Sequence, residues 1–137
     1  MEYNSTIRVK SIINKEADEA IELITEGNFY EKNESFYILY DESEEMGMAD
    51  CSVMIKVSEN EVTVKRKGSF SSKMVYTPGQ TNEFIYNMPY GSMPIILHTK
   101  EIKKELNEAG GELKVRYVLT IQGEDNENEL NIRVRKG

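Results

Sequence analysis

Apolar and polar residues alternate with a period of two along most of this 137-residue chain. The pattern is clearest in residues 51–57, 62–67, 112–122 and 130–134. Successive side chains of a β-strand point to opposite faces of the sheet, so this period is typical of strands with one buried face. The sequence therefore predicts an all-β protein.

Short polar segments separate the predicted strands. Pro78-Gly79 suits a type II turn, and Glu59-Asn60 suits a short hairpin turn because Asn tolerates a positive φ angle. Consecutive strands joined in this way are antiparallel neighbours, since a parallel pair needs a long crossover. We expect about nine or ten strands in one meander that forms a single domain over residues 1–137. Closure into a barrel removes exposed edges; a sandwich, the alternative, would need longer Greek-key connections.

Some segments fit the alternation less well. Residues 20–30 fit either a helix or a strand, and we assign a strand because Gly27 and Asn28 are poor helix formers. Polar loops are predicted over residues 14–18, 41–50 and 124–128.

One short helix is predicted over Lys100–Ala109. Ile102 and Leu106 are four residues apart, as on one face of a helix. Thr99 is a candidate N-cap, and Gly110-Gly111 is a candidate stop signal. We expect this helix to act as a plug or strap for the barrel.

The charge of the chain argues against several classes of function. The net charge is −7 and the sequence pI is about 4.9, whereas a general nucleic-acid binder needs a basic face. Residues 1–60 carry 14 acids and 5 bases, and residues 61–137 carry 10 acids and 12 bases. We interpret this asymmetry as complementarity between strands that a closed barrel brings together; a polar partner surface is the alternative.

The location of the protein is predicted from what the sequence lacks. No apolar run approaches the ~18 residues that cross a bilayer, and the N-terminus has no basic segment followed by an apolar one. A single cysteine, Cys51, excludes an internal disulfide. We expect a cytoplasmic protein without membrane contact.

Metal, cofactor and nucleophile motifs are weak. The acidic segment that starts at Asp41 resembles a calcium loop, but glycine falls at its seventh position and Ser52 at its twelfth. Cys51 and His98 could form a thiolate–imidazole pair, yet Cys51 is in phase with buried apolar residues. We therefore predict no metal, no cofactor and no catalytic residues, and an enzyme is not the favoured interpretation.

Arg66 is the most informative residue. It falls in the apolar phase of its strand, whereas Lys65 and Lys67 occupy the solvent phase. A guanidinium inside a barrel needs a carboxylate, carbonyl groups or an aromatic face. One hypothesis is a buried clamp between Arg66 and Glu42 with a tyrosine stacked on it. The other is that Arg66 binds an anionic ligand in a pocket lined by Tyr40, Tyr86 and Tyr117.

Several segments occur in an order that resembles the YwiB-like family of small uncharacterised bacterial proteins, a domain of unknown function. They are Gly27-Asn28-Phe29-Tyr30, the strand 36–40 followed by Glu42, Lys65-Arg66-Lys67-Gly68, Thr81–Tyr86, Tyr90-Gly91, Thr99 and Gly111–Tyr117. The resemblance covers residues 4–136. It implies a lipocalin-like (calycin) barrel of about ten strands and no enzyme activity.

The function expected from this sequence is non-catalytic binding of a small apolar or weakly anionic molecule inside the barrel. The alternative is a protein–protein interaction module, such as a homodimer, built on a filled barrel. The ligand-binding hypothesis assigns seven residues: Tyr40, Glu42, Arg66, Tyr86, Tyr90, Thr99 and Tyr117.

Overall fold

Ten antiparallel strands form the protein in a computed structural model that describes residues 3–13, 16–42, 50–69 and 71–137, without the side chains of residues 16–19 and 88. Every regular element in these residues is a strand, as the alternation predicts. The strands are β1 Ser5–Ile13, β2 Glu16–Lys32, β3 Ser35–Glu42, β4 Cys51–Val57, β5 Val62–Gly68, β6 Ser72–Tyr76, β7 Thr81–Met88, β8 Gly91–Asn107, β9 Gly110–Ile121 and β10 Glu124–Lys136.

The strands form one sheet that is almost closed. Their order is β6-β5-β4-β3-β2-β1-β10-β9-β8-β7, so the first and last strands of the chain pair with each other. The two outer strands of this order, β6 and β7, are consecutive in sequence and lie side by side. Ser71 and Asn87 exchange two backbone hydrogen bonds there, of 3.0 and 2.9 Å. The predicted meander barrel is therefore confirmed, with a seam between β6 and β7.

Gly27 marks the point where β2 changes partners. Up to Gly27 this strand pairs with β1, and from Asn28 onward it pairs with β3. A Cβ atom on Gly27 would collide with the backbone oxygen of Leu39 and the side chain of Ile7. The glycine thus lets three strands approach closely where the sheet turns.

The helix predicted over Lys100–Ala109 is wrong, because the segment continues β8 and pairs with β9. The register shifts between Thr99 and Glu101, where a β-bulge leaves Lys100 as an extra residue. Ile102 and Leu106 then face β9 from the same side of the strand. A spacing of four is a multiple of two, so it fits a strand face as well as a helix face.

Two of the predicted loops are shorter than expected. β2 already begins at Glu16, and residues 14 and 15 lie outside the described residues. The segment 124–128 belongs to β10, because Gln122 and Gly123, with φ angles of 51° and 83°, form a two-residue turn. Most of the acidic segment 41–50, including the candidate calcium loop, lies outside the described residues.

The core fills the inside of the barrel. Inward-facing residues of the strands form one cluster of buried side chains, and each fully buried aliphatic or aromatic side chain contributes about 1.5–3 kcal/mol. The largest of those that are fully buried are Tyr76, Phe29, Ile7, Ile38, Ile55, Leu97, Leu113 and Ile132. The described residues include no helix long and apolar enough to cross a bilayer.

Candidate functional site

Arg66 lies on the inner face of β5, as its phase predicts. The ladders place it opposite Val53 of β4 on one side and opposite Ser72 of β6 on the other. Val53 in turn lies opposite Tyr40 of β3. One cross-strand row therefore brings Tyr40, Arg66 and Ser72 to the same level of the barrel.

Glu42 forms an ion pair with Arg66. The Arg66 Nε atom donates to Glu42 Oε1 at 3.3 Å, and the side chains of Arg66 and Glu42 are 26% and 8% exposed. Burial alone would lower the pKa of Arg66, but the neighbouring Glu42 carboxylate raises it above the usual value, so the guanidinium stays charged. The predicted pairing of these two residues is confirmed.

The Nη groups of the Arg66 guanidinium have no hydrogen-bond acceptor among the described residues. Arginine carries five N–H donors in a planar fork. In the part of the chain that the structure describes, Glu42 is the residue that accepts a hydrogen bond from it, and does so through Nε. The Nη groups are therefore available to a ligand or to water.

Tyrosine side chains continue this polar row across the barrel. The rings of Tyr76 and Tyr117 meet edge to face, with their centroids 4.9 Å apart, and the Tyr76 hydroxyl donates to Met74 Sδ at 3.6 Å. Tyr117 is hydrogen-bonded to Asn128 of β10. We call the set of Tyr40, Arg66, Tyr76, Tyr117 and Asn128 the interior polar belt.

Burial sets the protonation of these tyrosines. Desolvation raises the pKa of Tyr40 to about 12, against a smaller lowering by Arg66. Desolvation likewise raises the pKa of Tyr76 well above its usual value and raises that of Tyr117. All three hydroxyl groups are therefore neutral near pH 7 and can act as hydrogen-bond donors.

Two buried hydroxyl groups lie next to the belt. Thr99 is opposite Tyr117 in the ladder of β8 and β9, and Ser72 is opposite Arg66. Both side chains are at least nine-tenths buried, and neither Oγ atom has a hydrogen-bond partner among the described residues. An unsatisfied buried hydroxyl is unfavourable, so a ligand or water that accepts from it would stabilise the site.

The remaining predicted residues lie at the margin. Tyr86 of β7 is half-buried, and desolvation raises its pKa against a smaller lowering by the positive charge of Arg66. Tyr90 lies in the turn between β7 and β8 and is 82% exposed. Five of the seven predicted residues thus lie in the polar belt or touch it, Tyr86 lies near it, and Tyr90 lies apart.

Sequence analysis missed three residues of this region. Tyr76 alternates with Met74 along β6, a signal that could have placed it inside. Asn128 was assigned to a loop, because the true turn at Gln122-Gly123 was not recognised. No pattern in the sequence pointed to Ser72.

An open cleft of about 520 Å³ runs along the seam. Residues 65–67 of β5, Ser72 and Lys73 of β6, and residues 83–85 of β7 line it. The middle of the seam is held by the side-chain amide of Asn82, which donates to the backbone oxygen of Val75 at 3.2 Å. The gap between β6 and β7 therefore brings Arg66 into contact with a space that opens to solvent.

His98 is not part of a metal centre among the described residues. His98 Nδ1 lies 2.8 Å from Thr81 Oγ1. Among the described residues, no group of three or more His, Cys, Asp or Glu side chains is placed to hold a metal ion.

The fold and the site define a ten-stranded antiparallel barrel with an Arg–Glu ion pair in its wall and a tyrosine-rich interior belt. The chain belongs to the family described as a domain of unknown function (DUF1934), which it matches over residues 7–132. It is 30% identical over 130 residues to the uncharacterized beta-barrel protein YwiB of Bacillus subtilis (strain 168), covering 94% of this chain and 89% of YwiB.

A solved structure shows the same architecture. The crystal structure of the ywiB protein from Bacillus subtilis matches with a TM-score of 0.85 at 29% identity, covering 97% of this chain and 91% of that one. The predicted family and the predicted barrel are both confirmed by these similarities. Neither similarity carries a known activity.

Proposed function

We propose that this protein binds a small anionic molecule in the seam cleft without transforming it. The observation that carries the proposal is the guanidinium of Arg66. It contacts Glu42 through Nε, and the Arg66 side chain lines the cleft and is 26% exposed. A planar fork of N–H donors matches a carboxylate or a phosphate group. Glu42 holds the side chain in place and leaves the Nη groups for the ligand.

Ser72 supports the same position for the anion. Ser72 lies opposite Arg66 and lines the cleft, and its buried hydroxyl has no hydrogen-bond partner among the described residues. An anionic oxygen next to Arg66 could accept from both groups. Such a charge-assisted hydrogen bond is stronger than one between neutral groups.

The wall of β7 supports an apolar portion in the ligand. Phe84 packs against the core and also lines the cleft, and Ile85 beside it is 46% exposed. A ligand with its anionic group at Arg66 could lay an apolar body against Phe84, which shares the inner face. The site therefore fits a small amphipathic anion better than a bare inorganic ion.

The titratable groups near Arg66 favour binding over catalysis. Glu42 is engaged in the ion pair, and the neighbouring tyrosines have pKa values raised by burial. A general base must be able to take up a proton near the working pH. Neutral tyrosines cannot do so.

Two matched probes test this proposal: benzoate and phenyl phosphate, each with an anionic group on an apolar ring. Thermal unfolding and ¹⁵N NMR titrations should show saturable binding, with shifts at the amides of β5, β6 and β7. Arg66→Gln should abolish binding of both probes. Arg135→Gln, which removes the same charge from an exposed position of β10, should bind as the wild type does.

Arg66→Lys keeps the positive charge beside Glu42. It serves as a second variant in case Arg66→Gln loses binding because it does not fold. It should fold and bind more weakly than the wild type, because a lysine lacks the planar fork. If neither probe binds the wild type, or if a folded Arg66→Gln variant binds both as tightly as before, the proposal is wrong.

A further inference from the structure

We infer that the ligand of the seam cleft carries two negative charges on one group, as a phosphate monoester does. This inference rests on the proposed function and narrows it. The juxtaposition behind it is a cluster of three lysines, Lys65, Lys67 and Lys73, that lines the cleft together with Arg66.

Lys65 and Lys73 lie directly opposite each other in the ladder of β5 and β6. Like charges in this arrangement destabilise a sheet unless something compensates them. In the described ranges, no carboxylate lies within ion-pair distance of Lys65, Lys67 or Lys73. The fold itself therefore gives no reason for this pair.

Three cations on the outer surface of β8, β9 and β10 are arranged differently. Lys100 pairs with Glu127 at 2.6 Å and Lys114 pairs with Glu129 at 3.5 Å. Arg133 of β10 pairs in the same way with Glu112 of β9. These three cations thus have carboxylate partners, which Lys65, Lys67 and Lys73 lack among the described residues.

The charge balance at the cleft fits a dianion. Four cations meet two carboxylates there, Glu83 in the lining and Glu42 in the ion pair, which leaves a formal excess of two positive charges. This excess occurs on a chain whose net charge is −7. A concentration of positive charge on an acidic protein raises the local concentration of anions and selects for their charge.

The donors available also match a phosphate group. A phosphate monoester carries close to two charges at neutral pH and three oxygens that accept hydrogen bonds. The Arg66 fork and the Ser72 hydroxyl can each donate to a separate oxygen, and the lysines add charge from the outer face of the same strands. A monocarboxylate has two oxygens and one charge, so it would leave most of this cluster uncompensated.

The test compares the affinities of phenyl phosphate and benzoate, at a mildly alkaline pH where the phosphate, with a second pKa of about 6, is doubly charged. We expect the wild type to bind phenyl phosphate more tightly by about tenfold or more. The double variant Lys65→Gln/Lys73→Gln should lose about tenfold for phenyl phosphate and lose less for benzoate, because a single charge is attracted more weakly.

The control is Lys32→Gln/Lys136→Gln, which removes two exposed lysines that do not line the cleft. It should bind both probes as the wild type does. The Lys65→Gln/Lys73→Gln variant should fold, because it relieves a repulsion between like charges.

Three outcomes separate this inference from the proposed function. Benzoate binding as tightly as phenyl phosphate, while still depending on Arg66, overturns the inference and leaves the proposed function standing. A loss of phenyl phosphate affinity that is no greater in Lys65→Gln/Lys73→Gln than in the control also overturns the inference. Failure of both probes to bind the wild type overturns both.

Discussion

Lys104 of β8 and Glu59 of the β4–β5 turn are hydrogen-bonded although they lie 45 residues apart in the sequence. Lys104 Nζ, in the outer part of β8, donates to the backbone oxygen of Glu59 at 2.7 Å and also to that of Ser58. The bulge at Lys100 turns Lys104 toward this side of the sheet, in phase with Ile102 and Leu106. The long β8–β9 hairpin is thereby tied to the β4–β5 turn.

Replacing this lysine should loosen the hairpin. We expect Lys104→Met to lower the free energy of unfolding by about 0.5–1.5 kcal/mol, because two carbonyl groups lose a charged donor in an exposed position. Urea denaturation measures the loss, and hydrogen exchange should show faster opening of residues 101–114. Lys103→Met, in the opposite phase of β8, should have little effect; equal effects of the two variants would contradict the role of this contact.

The Glu42–Arg66 pair should stabilise the barrel. Glu42→Gln leaves a mostly buried guanidinium without its carboxylate, and we expect a loss of about 1–3 kcal/mol in the free energy of unfolding, less than for a fully buried pair because Arg66 is partly exposed. Urea denaturation of Glu42→Gln, Arg66→Met and the double variant gives the coupling energy. Purely additive losses would show that the pair contributes nothing to the fold.

Alkaline pH should destabilise the protein through Tyr40. Its pKa rises from about 10 in the unfolded chain to about 12 in the fold, so between these values the unfolded state loses a proton that the folded state keeps. Stability is therefore complete below pH 10 and falls as the pH rises toward 12, by up to about 3 kcal/mol from this group.

Tyr40→Phe isolates this contribution. The variant keeps the ring and removes the ionising hydroxyl, so its stability should fall less steeply with pH over that range, as followed by urea denaturation at several pH values. Tyr76 and Tyr117 shift in the same direction, so part of the slope should persist. An unchanged slope would mean that Tyr40 is not buried as the structure has it.

Gly111 should be indispensable for the β8–β9 hairpin. Its φ angle is +137°, and an added Cβ atom would overlap the backbone oxygen of Glu105 on the paired strand. We expect Gly111→Ala to cost at least about 2 kcal/mol of unfolding free energy. Gly79→Ala, at a φ of +79° with open space around it, should cost only about 1 kcal/mol; similar losses in thermal unfolding would contradict the close packing at Gly111.

Local sequence determined the strands and most of the turns. Alternation of period two is a property of each segment alone, and it identified β4 with its bounds. The same phase placed Arg66 inside and its lysine neighbours outside, because successive side chains of a strand face opposite ways. Antiparallel order followed from the short connections.

Only the tertiary structure decided the strand register and which residues surround Arg66. The bulge at Lys100 changes the phase of β8 in the middle of a strand, and no local pattern marks it, so Ile102 and Leu106 fitted a helix equally well. Ser72, Tyr76 and Asn128 join the region around Arg66 through pairing and closure, which depend on contacts between strands distant in sequence. Period and turn chemistry are local, whereas register and the position of the seam are set by packing of the whole sheet.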